Sequence, residues 1–526
     1  MGRTIWGSLD PFYEPGPVLG RRVANTHFLR FLLRADPCDE YHFFLADAAQ
    51  REALAEHLDR TAPAPRSEGR VRILDARALP QALAEADYHC LHLSDCIRHQ
   101  PHAARLRNLH SKRLFPVTGP IHSLSYADFA PAFLAHLWPG ACERDAIVCT
   151  SGPGMGVVQG FFDALRTGYG LDEAAYPAPR LEHIPLGIDP DALVPPVERG
   201  ADGPVTLLVL GRLSHYSKMD LLPLLRAVQR LFAAGADPAS LRLVLAGWVD
   251  DEDELPDTLT RLAANIGLEL TVEARPTEAA KLRLLAEADV FVSIADNPQE
   301  TFGITVVEAM AMGLPVVASE YDGYRDLVVH EETGLLVPTI GPALTTGLDA
   351  LAPVLPDNQY HLLLAQQTAV DVPALAEALG RLVADAGLRG RLGAAGRERA
   401  MQRYTWPGII EQYAALWERL NAAPIADEER VRAARHPLHL PYGPLFGHYT
   451  TRVLAPGLAL VAGRTGQAVY RGQERPILYA GLEQTLDPEA LEKLAFFARR
   501  PTPAADLEAR LAEAFPALTP EAARAH

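Results

Sequence analysis

The sequence predicts an α/β chain of two doubly wound parallel layers facing a cleft, followed by a small α+β appendage. Three observations predict it. Short apolar runs alternate with amphipathic helical stretches, the pattern of parallel α/β layers. A Pro- and Gly-containing stretch, DPDALVPPVERGADGP (189–204), divides that series in two. After residue 422 the texture changes to segments rich in His, Pro and Tyr. A chain of 526 residues has the length for two large domains or three smaller ones.

The strands of the first series are read at EYHFFLA (40–46), RVRILDA (70–76), YHCLHLS (88–94), RLFPVTG (113–119), AIVCTS (146–151) and LEHIPLG (181–187). Helical stretches such as DAAQREALAEHLDR and PQALAEAD separate several of them. The second series reads VTLLVLG (205–211), RLVLAGW (242–248), LELTVEA (268–274), VFVSIA (290–295), PVVAS (315–319) and GLLVP (334–338). Its ITVVEAMAM helix stops at Gly313 and Pro315. Residues 340–370 form an extra, partly helical excursion. In YTWPGIIEQYAALWERL, Thr405 is placed to cap a helix and Pro407 lies in its first turn. The expected domains are 1–195, 203–404, the helix 405–422, and an appended module over 425–526. Within that module RVLAPGLALVAG and QAVYRG read as short strands. DPEALEKLAFFARR and PAADLEARLAEAF read as amphipathic helices.

Composition excludes some functions. A net charge of −17 argues against a general nucleic-acid binder, because phosphate backbones need clustered Lys and Arg. The five cysteines all lie in the first third, at irregular spacing, and imply no disulfide framework. Reduced thiols, no signal-peptide core and no apolar run of membrane-spanning length point to the cytoplasm. Docking on a membrane surface stays open.

Ligands of doubly wound sheets bind outside the carboxyl ends of the strands. The stretch NPQETFGITVVEAMAMG (297–313) lies at such an end. It sets two acids, Glu300 and Glu308, around the start of an apolar helix. The amides of Phe302, Gly303 and Ile304 open that helix and have no partner within it. Such a helix start suits phosphate or sugar oxygens, and a carboxylate suits the hydroxyls of a sugar. Read alone, the same acids would equally serve as a helix-dipole charge and a buried salt bridge. A second strand end, GRLSHYSKMD (211–220), offers Arg212 and Lys218. Two cations there can neutralise a diphosphate and stabilise it as a leaving group.

Together these stretches resemble the large family 4 group of retaining glycosyltransferases, which have the GT-B fold of two Rossmann-like domains. ETFGITVVE is similar to that family's E-x7-E motif. IPLGIDPDALVP (184–195), ADVFVSIADNPQETFGITVVEAMAMGLPVVAS, TGLLVP and RYTWPGIIEQY extend the resemblance over about residues 1–420. The resemblance implies a nucleotide-diphosphate sugar donor, UDP- or GDP-linked, and an acceptor that is a saccharide, a lipid-linked group or a protein. It implies that Arg212 and Lys218 bind the diphosphate and that Glu300 faces the donor sugar. The amides of Phe302, Gly303, Ile304 and Thr305 would hold sugar hydroxyls and phosphate, and Glu308 the ribose. His122, in FPVTGPIHS, would approach the sugar and its acceptor. Arg275, after LTVEA, would help read the base. The family's glycine-rich loop, close to the phosphate, corresponds to EPGPVLGRRVAN, where Gly20 would contact the donor; Gly16 is also present, but the usual adjacent pair is not.

No cofactor or metal is expected. Asp251-Glu252-Asp253 spells a D-x-D in an acidic run and reads as a solvated loop. YHCLHLSDCIRH fits no standard zinc spacing. Met310 and Met312 read as core. The rival from another class is a non-catalytic sugar-nucleotide-binding or partner subunit, with 425–526 as its interaction surface. That module is open to an acceptor, a partner chain or a second copy.

Overall fold

The computed structural model describes residues 4–16, 20–196, 203–249, 254–479, 481–482 and 485–526. Two compact units divide the chain, Met1–His436 and Pro437–His526.

The first unit contains two parallel sheets. The strands of the first are β1 (Ile5–Ser8), β2 (Glu40–Leu45), β3 (Val71–Asp75), β4 (Tyr88–His92), β5 (Val117–Pro120), β6 (Asp145–Cys149) and β7 (Arg180–His183). Their spatial order is β3-β2-β1-β4-β5-β6-β7. The second sheet uses β8 (Val205–Leu210), β9 (Leu241–Gly247), β10 (Glu269–Ala274), β11 (Val290–Ser293), β12 (Val316–Ser319) and β13 (Gly334–Val337). Its order is β10-β9-β8-β11-β12-β13. The strand order reverses between β1 and β4 in one sheet and between β8 and β11 in the other. These switch points are where a doubly wound sheet opens a crevice for a ligand.

The sequence explains why the sheets are parallel. Strands covered on both faces read as unbroken apolar runs rather than alternations. In β8, VTLLVL, every residue after Val205 is buried. Leu207 and Val209 enter the core on one face, Leu208 and Leu210 the core on the other. Each such side chain contributes about 1.5–3 kcal/mol through burial. In β4, Cys90 and Leu91 likewise enter opposite cores, and all five cysteines are buried free thiols. Met310 and Met312 are core residues.

The first sheet has a central strand, β1, before residue 40. RLFPVTG enters the sheet only at Val117. QAVYRG is no strand: Gln467–Tyr470 lie in the Arg464–Tyr470 helix. There Val469 is buried, as an amphipathic turn requires.

The Trp406–Ala422 helix crosses back to the first sheet. Trp406, Ile409, Ile410, Tyr413, Leu416, Trp417 and Leu420 join the core that holds Trp6, Phe28 and Phe31. Backbone hydrogen bonds tie its start to the linker: Ile188 donates to Tyr404, and Trp406 donates to Ile188. Thr405 stands at the cap position, but its side chain makes no cap bond. Pro407 lies in the first turn, where its missing N–H costs nothing.

The first unit runs on past residue 425 to His436. Val431 packs with Leu114 and Cys142, and Arg432 donates to the carbonyls of Ser111 and Lys112. The second unit is small and α+β. Ala459–Leu460 pairs antiparallel with Thr502–Pro503, and Ala490, Leu511 and Ala523 centre its core. Among the described residues, no helix is long and apolar enough to cross a membrane.

Candidate active site

The site forms where the loops after β8, β11 and β12 meet. Lys218 comes from the loop after β8, and Glu300 from the loop after β11. Lys218 Nζ donates to Glu300 Oε2 in an ion pair. Tyr324, which opens the short Tyr324–Leu327 helix after β12, closes the group. Its hydroxyl lies 2.7 Å from Ser293 Oγ, 3.3 Å from Glu300 Oε2 and 3.4 Å from Lys218 Nζ. The Phe302 amide donates to Glu300 Oε1 at 3.3 Å. Burial opposes both charges, but pairing wins. Lys218 holds the Glu300 carboxyl below its usual range, and Glu300 holds the Lys218 ammonium above its own.

Glu308 lies one turn into the Ile304–Ala311 helix. Its Oε1 accepts from Lys281 Nζ at 2.8 Å, and Lys281 also reaches Glu278 at 2.8 Å. Burial outweighs this partner and raises the Glu308 carboxyl above its usual value. Each acid of the motif is therefore buried against a lysine from a different element.

Gly303 is dictated by geometry. Its φ is +103°, and a Cβ there would stand 2.4 Å from Tyr324 Cε1. The aromatic ring thus lies against the helix entrance itself. The amides of Ile304 and Thr305 occupy the first turn, where a helix supplies no acceptor. The Thr305 hydroxyl is buried and has no partner among the described residues. Phe302 is buried and packs edge-on against Tyr404.

The remaining predicted residues are less tightly gathered. Arg212 shares the Lys218 loop and donates to Ser217 Oγ at 3.0 Å. Arg275, after β10, donates to the Val249 carbonyl at 2.8 Å and lies over the Trp248 ring at 4.5 Å. Gly16 has φ +133°, as a turn needs, whereas a Cβ at Gly20 would meet nothing within 4 Å. Asp251-Glu252-Asp253 lies outside the described residues.

His122 follows β5 in the first sheet. Its Nε2 donates to the Ser94 carbonyl at 2.8 Å, and burial lowers its basicity. The same Ser94 donates its amide to Asp10 Oδ2 at 2.8 Å. The next residue, Ser123, donates to the carbonyl of Gln299 at 2.8 Å. So the neighbours of His122 and Glu300 touch across the cleft.

Sequence reasoning missed Tyr324, Lys281 and Asp10. Tyr324 carried the clearest signal, a polar loop, EYDGYRD, just after the PVVAS strand. Lys281 sits on a helix with nothing local to distinguish it.

Two doubly wound parallel sheets of this order are the GT-B arrangement. Residues 204–352 match the family model described as Glycosyl transferases group 1. It is 30% identical over 244 residues to a phosphatidyl-myo-inositol mannosyltransferase of Mycobacterium tuberculosis, covering 45% of this chain and 53% of that one. It is also 30% identical over 265 residues to a D-inositol 3-phosphate glycosyltransferase of Xylanimonas cellulosilytica, covering 46% and 53%. The chain thus spans about half the length of these relatives. Its fold is similar to a glycosyltransferase of Rickettsia africae, with a TM-score of 0.54, 14% identity, and coverage of 80% of this chain and 98% of that one. It is similar also to the Anabaena HepE protein in complex with UDP, with a TM-score of 0.52, 15% identity, and coverage of 80% and 100%.

Proposed function

We propose that this protein is a retaining glycosyltransferase that moves a sugar from a nucleotide-diphosphate sugar to an acceptor hydroxyl. The observation that carries the reading is the Lys218–Glu300–Tyr324 group at the β8/β11 switch point, in front of the helix that bears Glu308. The group 1 family match over the same region supports it. Lys218, Arg212 and the first-turn amides of the Ile304–Ala311 helix receive the diphosphate. Glu300 then exchanges its lysine partner for donor hydroxyls. Glu308 accepts from the ribose, and Lys281 remains paired with Glu278. Arg275 helps to read the base, and Gly20 of the facing loop approaches the phosphate.

In the reaction, the acceptor oxygen forms its bond to the anomeric carbon as the bond to the β-phosphate oxygen breaks. Attack comes from the face the phosphate leaves, so configuration is retained. The acceptor proton passes to the departing phosphate oxygen. Negative charge grows on that phosphate and meets Lys218, Arg212 and helix amides already in place. These charges supply what a metal would, so the reading calls for none. His122 approaches the acceptor side from the first sheet. The acceptor is a saccharide, a lipid-linked group or a protein, and the reaction is placed in the cytoplasm.

Thermal shift with UDP, GDP and their sugar conjugates tests this. A ligand that binds only the folded state at 100 times its Kd stabilises it by about 2.7 kcal/mol. One nucleotide series should raise the Tm of the wild type, and Glu308→Ala should lose most of that rise. No stabilisation by any of them at millimolar concentration would overturn the reading.

A further inference from the structure

The 340–370 excursion serves no role in the mechanism above. Thr339–Ile340 and Ala369–Val370 pair antiparallel and close it at its base. It carries the Asp357–Ala365 helix, which lies beyond the end of the family match at residue 352. That helix presents His361, whose side chain is completely buried.

Both ring nitrogens of His361 are committed, and to different elements. Nδ1 lies 2.6 Å from Gln299 Nε2, and Nε2 lies 3.0 Å from the Ser125 carbonyl. A carbonyl needs a donor, so Nε2 carries the proton. Nδ1 must then accept from the Gln299 amide. The neutral ring makes both bonds at once, and burial keeps it neutral. Tyr126 packs edge-on against the ring at 5.4 Å. Ser123 Oγ donates to the Gln299 carbonyl at 2.8 Å. Gln299 is thus held at both ends, its side chain by His361 and its main chain by Ser123.

The residues so joined flank the chemistry. Ser123 follows His122, and Gln299 precedes Glu300. We propose that the excursion is a clamp across the cleft, and that His361 is a positioning residue which fixes the His122 loop against the Glu300 loop. His361 touches no reacting atom in this scheme. It sets the distance between the acceptor side and the donor side. The purpose of the clamp rests on the glycosyltransferase reading, but its existence does not.

His361→Ala removes both ring bonds. Hydrogen exchange of the ligand-free protein should then rise together in peptides covering 121–126 and 297–303. Release of nucleoside diphosphate from UDP-glucose or GDP-mannose should fall roughly 10- to 100-fold, the scale set by misplaced reacting groups. Affinity for UDP or GDP should fall less than release does, by under about fivefold, because Lys218, Arg212 and Glu308 stand on a loop and a helix that His361 does not hold. His361→Gln keeps a donor that can face the Ser125 carbonyl and should recover part of the protection. Should His361→Ala not fold, Ser123→Ala breaks the other tie and should raise exchange in the same two segments. A change confined to 357–365, or unaltered release of nucleoside diphosphate, would overturn the clamp. If the wild type binds no nucleotide, the glycosyltransferase reading fails, and the exchange measurement alone decides whether the clamp exists.

Discussion

Lys218 and Glu300 are neutralised by one another at the point where the second sheet reverses its strand order. They stand 82 positions apart in the chain and meet only because β8 and β11 are neighbours. Both side chains are mostly buried. A buried pair of this kind contributes little net stability, but breaking it leaves an uncompensated charge.

Lys218→Met should therefore destabilise the chain by about 3–5 kcal/mol, the cost of stranding a buried partner. Glu300→Gln should cost a similar amount. The double variant should be far less unstable than the sum, because neither charge is then left alone. Urea unfolding of the four proteins measures this as a double-mutant cycle. Additive losses would mean that the pair is not coupled. None of the three variants should turn over a nucleotide sugar.

Gly303→Ala should damage the same group by a different route. The new Cβ would sit in a backbone region that L-residues avoid and against the Tyr324 ring. The strain alone costs about 1–3 kcal/mol. Moving the ring would also withdraw the Tyr324 hydroxyl from Ser293, Lys218 and Glu300. Gly20→Ala is the control, since its Cβ would meet nothing within 4 Å. Its Tm should hold or rise slightly, while that of Gly303→Ala falls by several degrees. Equal melting temperatures would show that the ring does not depend on Gly303.

What could be read in the sequence was whatever is local. The strand, loop and helix around Glu300 follow one another directly, so their order and chemistry are plain in the string. Lys218 is legible as a cation just past a strand. The partners Tyr324 and Lys281 are not, because strand order decides which loops meet. The strand β1 was hidden by its brevity and by Gly7, which yields no apolar pattern. Packing explains that glycine: a Cβ there would stand 2.6 Å from Leu91 Cδ2. His361 was hidden for a related reason. Its helix lies in an excursion, and its partners lie on both sides of a cleft.

Asp10 gives a test by pH at the corresponding switch point of the first sheet. It follows β1 and holds the Ser94 amide, whose carbonyl His122 holds in turn. Burial, aided by the nearby Asp95 charge, pushes its carboxyl from 3.8 up to about 7. Between these values the folded chain keeps a proton that the unfolded chain has released. The unfolded state then binds fewer protons, so stability falls as pH rises through this window. The group's contribution is greatest below 3.8 and is fully lost above about 7. Asp10→Asn keeps an oxygen for the Ser94 amide and cannot ionise. At pH 8 it should be more stable than the wild type, by up to ~4 kcal/mol for a shift of this size. The difference should shrink steadily as pH is lowered toward 4. Urea unfolding of both proteins at intervals from pH 4 to 8 measures it. A difference that does not change with pH would show that Asp10 is ionised in the folded chain throughout.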